Sequence, residues 1–107
     1  MRELSHPRVG EITLTGVLAA LSDPVRLQIV SALAGAKREV GWGEFEVCVG
    51  KATLSHHMKT LRLAGLINHR QEGTRCFVSL RGDLESVFPG LLKSVLRAAS
   101  RPPAGAQ

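Results

Sequence analysis

The segment Lys51–Leu66, with the sequence KATLSHHMKTLRLAGL, decides how this chain folds. Leu54, Met58 and Leu61 follow one another at helical spacing, which places them on one face of a helix that must be buried. The other face carries hydrogen-bond donors and cations, and no Asp or Glu occurs between residues 51 and 65. Such a helix suits the major groove of DNA, where phosphates repel carboxylates. An ordinary amphipathic surface helix is the alternative interpretation.

Length and composition predict one small basic domain. The chain has 107 residues, a formal net charge of +5 and an isoelectric point near 10.0, which favours an anionic partner over a merely solvated basic surface. No apolar run approaches the roughly 20 residues of a membrane span, and the N-terminus lacks the apolar segment of a secretion signal. We therefore expect a cytoplasmic protein without a membrane partner, in which the two cysteines remain thiols.

Helical patterns precede the segment 51–66. A first helix is expected over 11–21, with Thr13 as a candidate cap, and a second over about 24–33 that Gly35 ends. The Ser-Asp-Pro sequence at 22–24 separates them, because Asp or Ser caps a helix and proline is tolerated in its first turn. A short third helix over about 43–47 and a turn at 48–50 complete a helix-turn-helix pattern with the segment 51–66.

A hairpin and a last helix follow. Two extended runs over 66–71 and 75–80 flank a turn, so they predict a β-hairpin, called a wing in folds of this type. The last helical pattern begins at Asp83, its expected N-cap, and is interrupted at Pro89-Gly90. It carries more apolar surface than a short domain can cover, which predicts packing against a second copy.

The predicted architecture is mainly α (α+β): a homodimeric winged helix-turn-helix with about five helices and a β-hairpin wing. The DNA-binding and dimerisation domain spans residues 11–99, between a flexible arm over 1–10 and a disordered tail over 100–107.

The chain resembles the ArsR/SmtB family of bacterial winged-helix repressors over roughly residues 12–96. The resemblance rests on LAALSDPVRL at 18–27, TLSHHMKTLRLAGLI at 53–67 and RQEGTR at 70–75. It implies a homodimer that binds a palindromic operator in double-stranded DNA, usually to repress. It also implies that the first and last helices form the interface, through Leu14, Val17, Leu18, Leu84, Val87, Phe88, Leu91, Leu92 and Val95.

Contacts to DNA are expected from the helix and from the wing. The expected residues are Lys51, Thr53, Ser55, His56, His57, Lys59, Thr60, Arg62, Arg70, Gln71 and Arg75. Each has a structural alternative: packing for His57, helix capping for Thr53 and Ser55, a solvated face for the cations, and a surface pair with Glu72 for the wing arginines. Arg26 is interpreted as structural, paired with a nearby acid.

Many members of the family release DNA when a metal or metalloid binds, but the two best-known ligand patterns of the family do not match this chain. One pattern needs a Cys-x-Cys pair before the DNA-contacting helix of residues 51–66, but residues 47–49 contain only one cysteine. The other pattern needs His on the last helix, which has none. Cys48, Cys76 and His6 are the candidate ligands for a transition metal ion, with a buried thiol as the alternative for each cysteine.

The leading hypothesis is a dimeric, sequence-specific transcriptional repressor. A regulator that responds to a metal, metalloid or oxidant is one alternative. Another is a DNA-binding subunit whose sensing is supplied by a partner protein. An enzyme is not expected, because the sequence shows no nucleophile–base pair with an orienting acid, no phosphate-binding loop and no paired catalytic carboxylates.

Overall fold

Helices and a small antiparallel sheet form a winged helix-turn-helix in the computed structural model, which describes residues 4–101. The helices of that part are α1 (Leu14–Leu21), α2 (Pro24–Ala36), α3 (Lys51–Leu63), α4 (Asp83–Val87) and α5 (Leu91–Ala99). The strands are β1 (Val40–Gly41), β2 (Ile67–Glu72) and β3 (Arg75–Leu80), in the order β1-β3-β2. Short 3-10 turns occupy Val9–Glu11 and Trp42–Glu44. The predicted mainly α architecture with a hairpin wing is confirmed.

Side-chain caps separate the first two helices as their sequences predict. The Thr13 hydroxyl accepts a hydrogen bond from the N–H of Gly16 at 3.0 Å, so α1 begins at Leu14, three residues later than expected. The Asp23 carboxylate accepts from the N–H groups of Val25 and Arg26 at 2.8 and 3.1 Å. These bonds satisfy backbone donors that have no partner within the helix. They also hold the pKa of Asp23 below its usual value.

The core lies between α2, α3 and the sheet. Ile29 and Leu33 of α2 and Met58 and Leu61 of α3 have no more than 1% of their surface exposed. Val78 of β3 closes the core from the sheet side and is fully buried. The buried residues of α3 therefore follow the helical spacing predicted from the sequence.

A glycine ends α3 as predicted. Gly65 has a φ of +87°, its N–H donates to the Arg62 carbonyl at 3.1 Å, and the N–H of Leu66 donates to the Leu61 carbonyl at 3.0 Å. These two bonds form a Schellman motif, in which a left-handed residue closes the helix. A Cβ built on Gly65 would lie 2.6 Å from a side-chain carbon of Ile12, so the position also requires the smallest side chain.

The wing is a β-hairpin with a two-residue turn. Strands β2 and β3 pair from Ile67 opposite Leu80 to Glu72 opposite Arg75, and Gly73, with a φ of +61°, enters the turn. The short strand β1 pairs with the far side of β3. Along β2, Ile67 and His69 are buried and the residue between them is exposed, as a half-buried strand requires.

The prediction of a helix over 43–47 is wrong. The 3-10 turn Trp42–Glu44 stands in its place, and residues 45–50 form no regular element. Phe45, Val47 and Val49 are half-buried while the residues between them are exposed, so burial alternates with a period of two.

The helix ends differ from expectation at two further positions, and a third agrees with it. Gly35 lies within α2, and Lys37, with a φ of 54°, ends that helix. Gly82 is the N-cap of α4, so the Asp83 side chain is free to accept from the Arg81 guanidinium at 2.9 Å. The expected interruption at Pro89-Gly90 is confirmed, because Gly90 adopts a φ of +77° and separates α4 from α5.

No single helix within residues 4–101 is long and apolar enough to cross a membrane. Helices α1 and α2 reach that length and composition only together, across a bend of 103°. Most of the predicted tail, residues 102–107, lies outside the described residues.

Replacing Gly65 with alanine is expected to destabilise the domain strongly. The substitution forces a side chain into the left-handed region, costing about 1–2 kcal/mol, and overpacks it against Ile12, costing about 1–3 kcal/mol more. Urea unfolding followed by circular dichroism measures the loss. Gly73→Ala is the matched control, because Gly73 also has a positive φ but nothing lies within 4 Å of the added Cβ. Equal losses for the two variants would contradict the role assigned to Ile12.

Candidate nucleic-acid interface

The exposed face of α3 carries five of the eleven side chains predicted to contact DNA. The exposed members are Lys51, Thr53, Ser55, His56 and Lys59. Gly50 is the N-cap of α3 and no side chain caps the first turn, so neither Thr53 nor Ser55 acts as a cap there. The first turn also lacks an acid, so the positive end of the helix dipole faces outward without a neutralising carboxylate.

His57 does not belong to this face, which corrects its assignment as a DNA contact. Only 7% of its surface is exposed, and its Nδ1 lies 3.1 Å from a guanidinium nitrogen of Arg26. One residue corresponds to about 100° of rotation on a helix, so His57 points toward the core while His56 points to solvent. Thr60 is half-buried at the margin of the exposed face. The partner of Arg26 is thus a histidine rather than the expected acid.

Arg62 is held by the N-terminal arm. Its guanidinium donates to the backbone carbonyl of Ser5, and its Nε is buried without a hydrogen-bond partner. The predicted phosphate contact of Arg62 therefore competes with a contact inside the chain.

The described part of the predicted flexible arm docks on the domain. The backbone N–H of His69 donates to Nε2 of His6 at 2.9 Å, and the Arg81 guanidinium donates to the Pro7 carbonyl at 2.6 Å. Burial, assisted by the charges of Arg62 and His6, lowers the pKa of His69 to about 4. Burial also lowers the pKa of His6. Both rings are therefore neutral at neutral pH, and both lie near cationic guanidinium groups.

The two arginines of the wing have different surroundings. Arg70 donates to the Glu39 carboxylate at 2.7 and 2.8 Å and to the Glu72 carboxylate at 2.7 Å, and these acids raise its pKa. Its guanidinium also lies 4.5 Å from the centre of the Phe77 ring. Arg75 approaches the same ring at 5.7 Å, is exposed, and forms no salt bridge within residues 4–101.

The contact between Arg70 and Glu39 had no signal in the sequence, because the two residues are 31 positions apart. The acid neutralises the arginine that the wing motif singles out. The Arg70 guanidinium in turn holds the pKa of the Glu39 carboxylate below its usual value. Gln71 donates to the carbonyl of Gly73 at 3.3 Å and so braces the hairpin turn.

A groove separates the wing from the start of α3. Its volume is about 550 Å³, and its lining includes Trp42, Lys51, Arg75 and Phe77. Lys51 and Arg75 contribute cations from two elements to this concave surface, and Glu44, which pairs with Arg38, contributes a carboxylate. Such a surface attracts an anionic chain more strongly than either cation would alone.

The cysteines show no ligand cluster. Cys48 is exposed and Cys76 is half-buried, and neither forms a disulfide. Across residues 4–101, no group of three or more His, Cys, Asp or Glu side chains is arranged to hold a metal ion. His6 instead accepts a backbone hydrogen bond. The buried-thiol alternative fails for Cys48, because its side chain lies at the surface.

The predicted dimer residues divide into three groups by their burial. Val17 and Leu84 are 1% and 4% exposed and belong to the core of the single chain, which corrects their assignment to an interface. Leu14 and Leu18, one turn apart on α1, each expose 44% of their surface. The remaining members on α4 and α5 are half-buried: Val87, Phe88, Leu91, Leu92 and Val95.

Comparisons with known proteins agree on one family. The sequence profile of the family described as "Bacterial regulatory protein, arsR family" matches residues 23–69. The HTH-type transcriptional regulator YceK of Bacillus subtilis (strain 168) is 40% identical over 82 residues, covering 74% of this chain and 82% of that protein. The biofilm growth-associated repressor of Xylella fastidiosa (strain Temecula1) is 33% identical over 79 residues, covering 74% and 68%.

Solved structures show the same fold. HlyU from Vibrio cholerae N16961 superposes with a TM-score of 0.66 at 27% identity, covering 81% of this chain and 91% of that chain. The transcriptional repressor BigR from Xylella fastidiosa superposes with a TM-score of 0.63 at 27% identity, covering 83% and 88%. The chain therefore belongs to the arsR family of bacterial regulatory proteins.

Proposed function

We propose that this chain is a non-enzymatic, sequence-specific DNA-binding repressor of transcription that acts as a homodimer in the bacterial cytoplasm. The observation that carries the proposal is the exposed face of α3, which offers donors and cations without a carboxylate. Its opposite face is fixed in the core, so the exposed side chains keep a defined orientation. The names of the Xylella fastidiosa relatives, both described as repressors, support repression as the outcome.

The surface divides into positioning contacts and base contacts. Lys51 and Lys59 supply charge for phosphates, which fixes the register of a protein on the duplex without reading its sequence. Ser55 and His56 lie between them on the same exposed face and present short hydrogen-bonding groups to base edges. Arg75 extends the contact along the wing to the backbone or the minor groove.

Dimerisation is proposed from α1 and α5. The exposed leucines at 14 and 18 form an apolar strip that one copy leaves uncovered, and α5 is only half-buried on its apolar face. A twofold axis between two such surfaces would place two α3 helices on one side of a duplex, with half-sites about 34 Å apart.

Two substitutions on α3 are expected to affect binding differently. Ser55→Ala removes a base contact and should weaken binding to a duplex selected from a randomised library by about 1–2 kcal/mol per half-site, while binding to a scrambled duplex stays constant. Lys59→Gln removes one phosphate contact per subunit. It should weaken binding to both duplexes and reduce the slope of log affinity against log salt by about 2 per dimer.

Fluorescence anisotropy at several salt concentrations measures both effects. Arg101→Gln removes the same charge as Lys59→Gln from an exposed position outside α3 and the wing, and it should leave the salt slope unchanged. Equal losses on the selected and scrambled duplexes for Ser55→Ala would contradict its assignment to base contact.

The two wing arginines are expected to contribute unequally to DNA binding. Arg75→Gln should reduce the salt slope by about 2 per dimer, because its guanidinium is exposed and forms no salt bridge within residues 4–101. Arg70→Gln should change the slope little, because Glu39 and Glu72 already neutralise that charge. The same titration compares the two variants, and a larger slope change for Arg70→Gln would refute this distinction.

A charge on α1 is expected to separate the subunits. Leu18→Asp should raise the dimer dissociation constant by about 100-fold or more, because a twofold interface buries two copies of the new carboxylate. Sedimentation at micromolar concentration measures the oligomeric state. Leu63→Asp is the matched control, since Leu63 is also an exposed leucine, at 52%, but lies on α3. A wild-type monomer, or a dimer that survives Leu18→Asp, would overturn the proposed interface.

A further inference from the structure

One arginine ties together the first three helices. The Nε of Arg26 donates to the Ala20 carbonyl at 2.6 Å, and a terminal guanidinium nitrogen lies 3.1 Å from Nδ1 of His57. The carbonyl of Ala20 has no donor four residues later, because residue 24 is proline. Arg26 lies in the first turn of α2. Its side chain supplies the missing donor to α1 and also contacts α3.

The chemistry of the pair fixes the state of the histidine. A guanidinium has donors and no acceptor, so Nδ1 of His57 must be the accepting nitrogen and the ring must be neutral with its proton on Nε2. The contact is therefore directional. It specifies which side of the imidazole faces Arg26 and, through the imidazole, how far α3 is turned about its own axis.

The other contacts that hold α3 fix which face is buried, but they set its rotation less precisely than a directional hydrogen bond does. Met58 and Leu61 are fully buried, but apolar packing is not directional. Within residues 4–101, the side chains of α3 that hydrogen-bond to another part of the chain are His57, to Arg26, and Arg62, to Ser5 in the arm. Residues 45–50 before α3 form no regular element, and no side chain caps its first turn.

We propose that Arg26 and His57 are positioning residues that set the rotation of α3 and thereby the sequence specificity of the bound duplex. This inference rests on the proposed function. With side chains about 5–6 Å from the helix axis, a rotation of about 20° moves their tips by about 2 Å. A hydrogen bond to a base edge does not tolerate such a shift, whereas a lysine can still reach a phosphate.

The test compares specific with non-specific binding. His57→Leu removes the acceptor while keeping an apolar side chain in the buried site, and Arg26→Met removes the donors while keeping the stem. Each should lower the ratio of affinities for the selected and scrambled duplexes by about tenfold or more, from the 10³ to 10⁷ typical of specific binding proteins. Affinity for the scrambled duplex should stay within about twofold, because the phosphate contacts remain.

Rescue and a double variant separate positioning from packing. His57→Asn restores an acceptor where Nδ1 lies and should return most of the lost ratio. In the Arg26→Met/His57→Leu variant, the affinity ratio should fall no further than in the worse single variant, because both substitutions remove the same contact between Arg26 and His57. Arg81→Met is the control: Arg81 anchors Pro7 and Asp83 rather than α3, so its loss should leave the ratio within about twofold.

The failures of the two proposals are distinguishable. A wild-type protein without preference between the duplexes would overturn the proposed function and this inference with it. A wild-type preference that survives both His57→Leu and Arg26→Met would overturn the inference alone, as would equal losses on both duplexes. Arg26→Met leaves α3 itself unaltered, so the test stands even where His57→Leu does not fold.

Discussion

Burial of one face of α3 is the constraint on which the rest of the structure depends. Met58 and Leu61 are fully buried against the core, and each such side chain contributes about 1.5–3 kcal/mol. Because the helix is rigid, burying one face also fixes the other, so Ser55 and Lys59 need no contacts of their own to be held in place. The polar surface is in this sense a consequence of the core. Substitutions in the core will therefore change the orientation of the surface as well as the stability of the fold.

Tertiary partners decide which cations remain available to a ligand. Arg70 and Arg75 flank the same turn, yet Arg70 forms salt bridges with two carboxylates and Arg75 forms none within the described residues 4–101. Arg62 lies on the reading helix, but the arm takes up its guanidinium. The formal charge of +5 is thus an incomplete description of the surface, because paired arginines contribute little to the attraction of phosphates.

Local signals made much of this fold predictable. The periodicity of α3, the cap at Asp23 and the left-handed Gly65 all depend on neighbours in the chain, and the structure confirms them. The expected helix over 43–47 does not form, because Phe45, Val47 and Val49 alternate with exposed residues in an extended segment. His57 contacts Arg26 and Glu39 contacts Arg70 across 31 residues, and only the tertiary fold brings such pairs together. Candidate residues could therefore be named from the sequence, but not sorted into buried, paired and available.

The short link between α3 and the wing has a consequence for the duplex. Ala64, Gly65 and Leu66 are all that separates the helix from β2, and the Leu66 carbonyl accepts from the N–H of Arg81 beyond β3 at 3.0 Å. Helix and hairpin are thereby joined into one preorganised unit that cannot adjust its own curvature. In a protein that binds as proposed, any mismatch between this unit and a straight duplex is met by deformation of the DNA rather than of the protein. Pyrimidine–purine steps deform most easily, so the flexibility of bases that no side chain touches becomes part of what is recognised.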